Sequence, residues 1–379
     1  MATQYVFTIY DETGVAQGIA TPLDFAIVHR VNTPSLLRVR LDLRTALVAS
    51  LEYGWYIKVV RSDPAEGMNA YTEFIGAIRG WKRIYGANPI IEVTAMDAKR
   101  ILQDRIVAWW PALLGASFFK TSAYPTASSI MTALWNTNVG SGANGNPPVF
   151  NANLLRRYGT SLNRWTDGRV STAVNAVNLS IGNAIEVSCS GENLLTTMQK
   201  VADVGSLDFD VLFDLSTFSY TLYYADTLGA DRTSYVKMSQ ANNTIGTLQR
   251  STSRVTSPTY TVAIGYGKCK ARITGNYPPT APTGTDLRES MATGGDATSE
   301  AQLTSVARRR YVQEQRKINA WTIEVLQSAM WKYGRDYFLG DLVKIYVSSI
   351  SSLTRKIYGV SLSMNAQGAE EVRIDLANP

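Results

Sequence analysis

The stretch WKYGRDYFLGDLVKIYV, Trp331 to Val347, decides the fold. Gly340-Asp341 follows Phe338 and Leu339 and opens a run in which Val343, Ile345 and Val347 alternate with Leu342, Lys344 and Tyr346. A turn dipeptide feeding a period-two pattern predicts a turn and then a half-buried strand. Working outward, AWTIEVL (320–326) sets Trp321, Ile323 and Val325 on one face, and KIYGVSLSM (356–364) and EEVRIDL (370–376) alternate in the same way. The chain beyond 320 therefore reads as one antiparallel sheet or small barrel. In it Gly334, Gly340 and Asp341 shape a corner, and Trp331, Tyr333 and Tyr337 pack that corner or a neighbouring subunit.

The first hundred residues repeat the style. LLRVRLDLR (36–44) places Leu37, Val39, Leu41 and Leu43 on one face and Arg38, Arg40, Asp42 and Arg44 on the other, the pattern of a strand with one wet side. EYGWYIKVVR (52–61), YTEFIGAIRGWKRIYG (71–86) and PIIEVTAMD (89–97) continue the sheet, with Gly76 and Gly80 marking bends or bulges. DAKRILQDRI (97–106) reads as a short helix capped by Asp97. Residues 106–184 are irregular apart from a helical segment at 126–138, and 138–150 is a loop by composition. From 185 to 275 a strand, the helix ENLLTTMQKVADVG (192–205) and the strands SLDFDVLFD (206–214) and TFSYTLYYAD (217–226) describe a small α+β layer, extended by the strand SPTYTVAIGYGK (257–268). Residues 276–303 are rich in Pro and Gly and read as a flexible loop, mobile or ordered by a partner. The expected division is thus 1–105, 106–184, 185–275, 276–303 and 304–379, in an α+β chain that is mainly β.

Composition bounds the function. Of 379 residues 45% are hydrophobic, enough for real cores, and 18% are charged, below the roughly 25% of soluble domains. The net charge of +6 comes from scattered Lys and Arg. Arg308-Arg309-Arg310 is the one dense basic run, read as a solvated or subunit-contacting face, with DNA contact the competing reading because phosphate binding needs clustered cations. Cys189 and Cys269 are the only cysteines, too few for a zinc site. They form either a disulfide or two buried thiols. No apolar run reaches the ~18 residues of a membrane span, and MATQYVFTIYDETG looks like a first strand, so a protein made and assembled in a cytoplasm is expected.

A search for chemistry finds little. The sole histidine, His29, reads as structural, and any Ser-His-Asp set would have to be built on it. No GxSxG or GxxxxGK[ST] pattern occurs, and no GxGxxG follows a strand. Asp208, Asp210 and Asp214 share a parity on one strand, which suits a glycan hydrolase or, more simply, a wet strand face. The twenty tyrosines and eight tryptophans serve cores and interfaces or, alternatively, glycan stacking. No catalytic residue, metal ligand or cofactor is assigned.

Taken in order, LEYGWYIKVVR and EFIGAIRGWKR, the strand-helix-strand-strand unit around ENLLTTMQKVADVGSLDFDVLFD, and WKYGRDYFLGDLVKIYV resemble the siphophage tail-tip (baseplate) hub, or tail-associated, protein family. The resemblance spans roughly 25–105, 185–270 and 305–376. It implies two β-barrel-like domains, N-terminal and C-terminal, joined by smaller α+β domains in a homotrimeric ring at the virion's tail tip. It further implies contacts with the distal tail protein ring, the C-terminus of the tape measure protein and a central tail fibre or spike, with DNA met only in passage through the lumen. No catalytic residues carry over from the family. A glycan-binding or glycan-hydrolysing tail protein is the alternative.

Overall fold

The computed structural model describes residues 3–105, 107, 119–120, 126–139, 174–175, 181–185, 187–189, 192–251, 260–266, 272–280, 289–293, 300–317, 320–326, 330–347 and 352–377. The N-terminal strands are β1 (Gln4–Tyr10), β2 (Ala16–Ala20), β3 (Pro22–Arg30), β4 (Thr33–Asp42), β5 (Tyr56–Asp63), β6 (Met68–Ile84) and β7 (Ile90–Asp97), with short helices α1 (Ala46–Ala49) and α2 (Arg100–Gln103). The middle of the chain carries β8 (Phe119–Lys120), α3 (Ala127–Asn138), β9 (Val174–Asn175), β10 (Ser188–Cys189), α4 (Leu194–Gly205), β11 (Asp208–Asp214) and β12 (Ser219–Ala225). Then follow β13 (Lys237–Ser239), β14 (Ile245–Ser251), β15 (Tyr260–Tyr266), β16 (Arg272–Tyr277), β17 (Glu289–Thr293), α5 (Glu300–Lys317), β18 (Ala320–Val325), β19 (Leu342–Tyr346), β20 (Ser352–Met364) and β21 (Glu370–Ala377).

The alternating stretches form strands as their pattern requires. In β4, Leu37, Val39 and Leu41 are buried while Arg38 and Arg40 face water. In β18 and β19, Trp321, Ile323, Val325, Val343 and Ile345 are buried, each large aliphatic contributing about 1.5–3 kcal/mol. Gly76 stands where a side chain would meet the Met96 carbonyl oxygen at 2.4 Å, so only glycine lets β6 approach β7 there. The β6–β7 register slips between Ile78 and Gly80, the predicted bulge.

The two strand groups do not form two separate barrels. One 13-stranded sheet runs β14-β18-β21-β20-β3-β4-β7-β6-β5-β1-β2, with β19 and β13 attached beside β20, and it does not close on itself among the described residues. The splice is β20. Its first half, Ser352–Lys356, pairs with β19, and its second half, Gly359–Met364, pairs with β3. An edge strand left open invites pairing, and β3 and β20 satisfy each other. Phe7, Ile57 and Phe74 share one hydrophobic cluster with Ile323, Val343 and Ile374, so the sheet curls over a single core.

A second core lies on the outside of this sheet. Leu194, Leu195, Met198, Val201 and Ala202 form the buried stripe of α4 against α3, β11 and β12, and the Asn193 side chain caps α4 by accepting from Thr196 N–H. The unit docks through the β3–β4 turn. Asn32, at φ 58°, accepts from Phe209 N–H at 2.6 Å, while its carbonyl accepts from Gln199 at 2.8 Å. Helix α5 covers β15 and β16 and touches α4.

Several expectations need amendment. Segment 276–303, read as a flexible loop, carries the end of β16, strand β17 paired parallel to β15, and the start of α5. The helix expected over 97–106 shrinks to α2, because Asp97 ends β7 and its carboxylate accepts from Lys99 N–H instead. Helix α5 itself had no counterpart in the sequence reading. Cys269 and residues 140–150 lie outside the described residues, so the cysteine pairing and most of the 138–150 loop do too. Among the described residues no helix is long and apolar enough to cross a membrane.

Candidate functional site

The corner predicted from the sequence sits at the β20 splice. Gly340 N–H donates to the Ile357 carbonyl (2.8 Å), Ile357 N–H to the Asp341 carbonyl (2.9 Å), and Val31 N–H to Tyr358 (3.0 Å). These bonds hold β20 where it changes partner from β19 to β3. Asp341 is buried at 2% exposure. Its carboxylate accepts from Ala230 N–H (2.6 Å), Phe338 N–H (2.8 Å) and Arg232 Nε (3.3 Å), tying the 230–232 stretch and the start of the corner to one side chain. Gly340 has φ +91°, left-handed backbone that favours glycine, and its backbone touches that of Gly229.

Beneath the corner lies a buried polar network. Arg61 on β5, at 1% exposure, donates to Glu370 on β21 (Nη2, 2.8 Å), to the Tyr333 carbonyl (2.8 Å) and to the Tyr71 hydroxyl (3.2 Å). Tyr5 also donates to Glu370. Glu73 on β6 accepts from Tyr71 and from Tyr333 (3.3 Å) and lies 3.0 Å from His29 Nε2, whose Nδ1 is 3.1 Å from Ser35. Lys332 stands 3.6 Å from Asp63 and 3.5 Å from Glu66. Gly334, at φ +87°, packs where a side chain would meet the Tyr71 hydroxyl at 2.2 Å. Buried ions persist when paired and hydrogen-bonded, and β1, β3, β5, β6, β21 and the corner each contribute to the pairing.

Electrostatics follow from this geometry. Burial opposes the ionisation of Glu73, but His29, Tyr71 and Arg61 together outweigh it and hold its pKa below the ordinary carboxylate value. Burial pushes the Tyr71, Tyr333 and Tyr337 phenols up. The Glu73 contribution to stability is full above the ordinary pKa of about 4.3 and drains as pH falls through the lower folded value. The tyrosine contribution is full below about 10 and drains as pH rises beyond it. We expect unfolding midpoints to drop at both ends, with Glu73→Gln flattening the acid limb and phenolate absorbance rising in step with alkaline unfolding. A denaturation series across pH checks both limbs.

The predicted site residues separate into two places. Tyr333, Gly334, Tyr337, Gly340 and Asp341 come together in the corner, Tyr333 and Tyr337 inside the core. Trp331 sits at its rim, donating to the Lys237 carbonyl (3.2 Å) and meeting Tyr235 edge-on at 6.1 Å. Arg308, Arg309 and Arg310 lie on α5, away from the corner. Burial lowers the Arg309 pKa, with Asp203 and Glu192 working against that shift, and Arg310 is exposed. The sequence reading missed Arg61, Glu73 and Glu370. The only available signal was charge at positions whose neighbours alternate into the core.

The aspartates of β11 do not simply face water. Asp208, 5% exposed, pairs with Lys356 on β20 and accepts from Leu228 N–H (2.9 Å). Asp210 lies 2.7 Å from Lys99, which also meets Asp97 at 3.0 Å. Burial would lower the Lys99 pKa, and the two carboxylates carry it above its ordinary value. Asp214 is exposed and holds a turn by accepting from Ser216. Carboxylates committed to lysines are poorly placed for acid–base exchange, and they serve here as ties between β11, β20 and the β7–α2 link. Among the described residues no group of His, Cys, Asp and Glu is arranged to hold a metal ion.

An open curled sheet spliced at β20, with an α+β layer tied to its outside, is an arrangement to compare with known proteins. A family model described as Siphovirus ReqiPepy6 Gp37-like protein matches residues 6–376. The chain belongs to that phage tail-associated family. Among solved structures, this tail protein is similar to the tail protein of Neisseria meningitidis MC58, at 12% identity and TM-score 0.58, covering 99% of this chain and 96% of that one. It is equally similar to the 43 kDa tail protein of prophage MuSo2 from Shewanella oneidensis, at 12% identity and TM-score 0.58, covering 98% and 97%. At such identities the likeness is one of fold. No curated protein matches the chain. The family is thus a siphovirus one, and the fold is shared with phage tail proteins.

Proposed function

We propose that the chain is a structural hub at the distal tip of a long-tailed phage tail, where a homotrimeric ring closes the tail tube, joins it to a central fibre or spike and opens for genome release. The observation that carries this reading is the family match across residues 6–376. In this reading the distal tail protein ring lies above, the C-terminus of the tape measure protein reaches the lumen, and DNA only passes through. In this reading β1–β7 and the group β13, β14 and β18–β21 act as two barrel-like halves of one sheet, with segment 106–184, the layer of α4, β11 and β12, and the β15–β17 sheet as attachments.

The corner would serve the ring in two ways. Tyr333, Gly334, Tyr337, Gly340 and Asp341 fix its shape, and Trp331 with exposed Met330 (66%) and Tyr235 (38%) offers an apolar rim to the next subunit, as heterologous ring contacts require. The basic run, through exposed Arg310, faces solvent or a subunit. A native mass measurement tests the assembly. The expected species has three times the 41.6 kDa of one chain, and gold-labelled antibody marks the distal end of tail particles. A monomer that never joins tail particles would overturn the proposal.

A further inference from the structure

Between the outer face of the main sheet and the tip of the β11–β12 hairpin lies a cleft of about 280 Å³, whose lining includes Arg79, Arg100 and Arg105, the carboxylates Asp97 and Asp104, and the aromatic residues Tyr56 and Tyr220. The hub reading makes no use of it. Two guanidinium groups converge on one carboxylate there, since Asp104 lies 3.4 Å from Arg79 and 2.6 Å from Arg100. The Nε–H of Arg100 is buried with no acceptor among the described residues. A buried charged donor without an acceptor costs more than a satisfied one, so an added acceptor would be favoured. The neighbouring Lys99 offers no competing cation, being committed to Asp97 and Asp210.

The aromatic part of the lining supplies a different chemistry. Tyr56 and Tyr220 bring their hydroxyls within 3.4 Å of each other, and both rings pack on Phe213, at 5.1 and 4.7 Å. A volume at the low end of ligand pockets, roughly 300 Å³, suits a side-chain-sized group rather than a nucleotide. Arginine forks match carboxylates in two-point geometry, and aromatic walls suit an apolar flank. We propose that this cleft is a docking pocket for a side-chain carboxylate flanked by apolar residues on a peptide segment of a partner protein.

The test uses the full chain and a fluorescein-labelled capped peptide, Gly-Phe-Glu-Phe-Gly, with its Gln counterpart as control. The Glu peptide should bind about tenfold more tightly than the Gln peptide, the scale of one charge-assisted contact, and raised salt should erode the difference. Arg100→Gln should abolish the discrimination. Arg79→Gln, on a half-exposed side chain, should reduce it several-fold with an unchanged melting curve, and it carries the test if Arg100→Gln fails to fold. Equal binding of the two peptides, absence of saturable binding, or discrimination left undiminished by Arg79→Gln would each sink the proposal. Inorganic phosphate displacing the peptide at matched concentration would sink it too, by showing a site for any small anion.

Discussion

Arg61→Ala should lower the unfolding free energy by about 3–5 kcal/mol, the cost of leaving buried charge uncompensated. Arg61 is all but sealed from solvent and ties β5 to Glu370 on β21 and to the corner at Tyr333. Its removal strands Glu370 and takes a cation from beside Glu73, 3.9 Å away. The damage comes from the orphaned partner more than from the lost bond. The paired change Arg61→Met with Glu370→Gln should therefore cost less than the sum of its parts, with a coupling of about 1–3 kcal/mol. Denaturant unfolding of the four proteins measures this cycle. A loss below about 1 kcal/mol for Arg61→Ala would mean that the network is not what joins the two strand groups.

Gly229→Ala is the second large effect. A methyl group there would stand 2.1 Å from Asp341 N and 2.2 Å from the Gly340 carbonyl carbon, both backbone atoms. Backbone held by Ile357, Ala230 and Phe338 cannot swing aside as a side chain tip does. We expect a loss of roughly 3 kcal/mol, the upper end for an inserted methyl group, together with weakened β19–β20 pairing in hydrogen exchange. Gly54→Ala serves as the comparison, since open space surrounds that position and its φ of +88° imposes only the left-handed penalty, about 1–2 kcal/mol. Equal losses from the two changes would show that the contact between Gly229 and the corner has no special weight.

Strands were legible in the sequence wherever one face is dry and the other wet. LLRVRLDLR and AWTIEVL announce β4 and β18, and Gly340-Asp341 announces the corner, because alternation and turn chemistry are local properties. Pairing partners are not local. Nothing in KIYGVSLSM says that its first half meets β19 and its second half β3, so the single curled sheet was out of reach. The buried network was hidden for a related reason: Arg61, Glu73 and Glu370 are each ordinary charges in sequence, and only the curl of the sheet brings Arg61 and Glu370 together. Asp208 shows the converse. Its parity with Asp210 and Asp214 suggested a shared wet face, while the docking of the α+β unit turned it inward onto Lys356.

The β20 splice also constrains the order of events during synthesis. β3 emerges from the ribosome early, yet one of its two edges is met only by Gly359–Met364, and Arg61 finds Glu370 only when β21 is made. Contacts between such distant parts of a chain close late and slow folding. The N-terminal strands must therefore wait, half-finished and with a bare edge, for the arrival of β20 and β21. A ribosome stalled before residue 352 should hold a nascent chain that is open to proteases and ready to pair with the wrong edge.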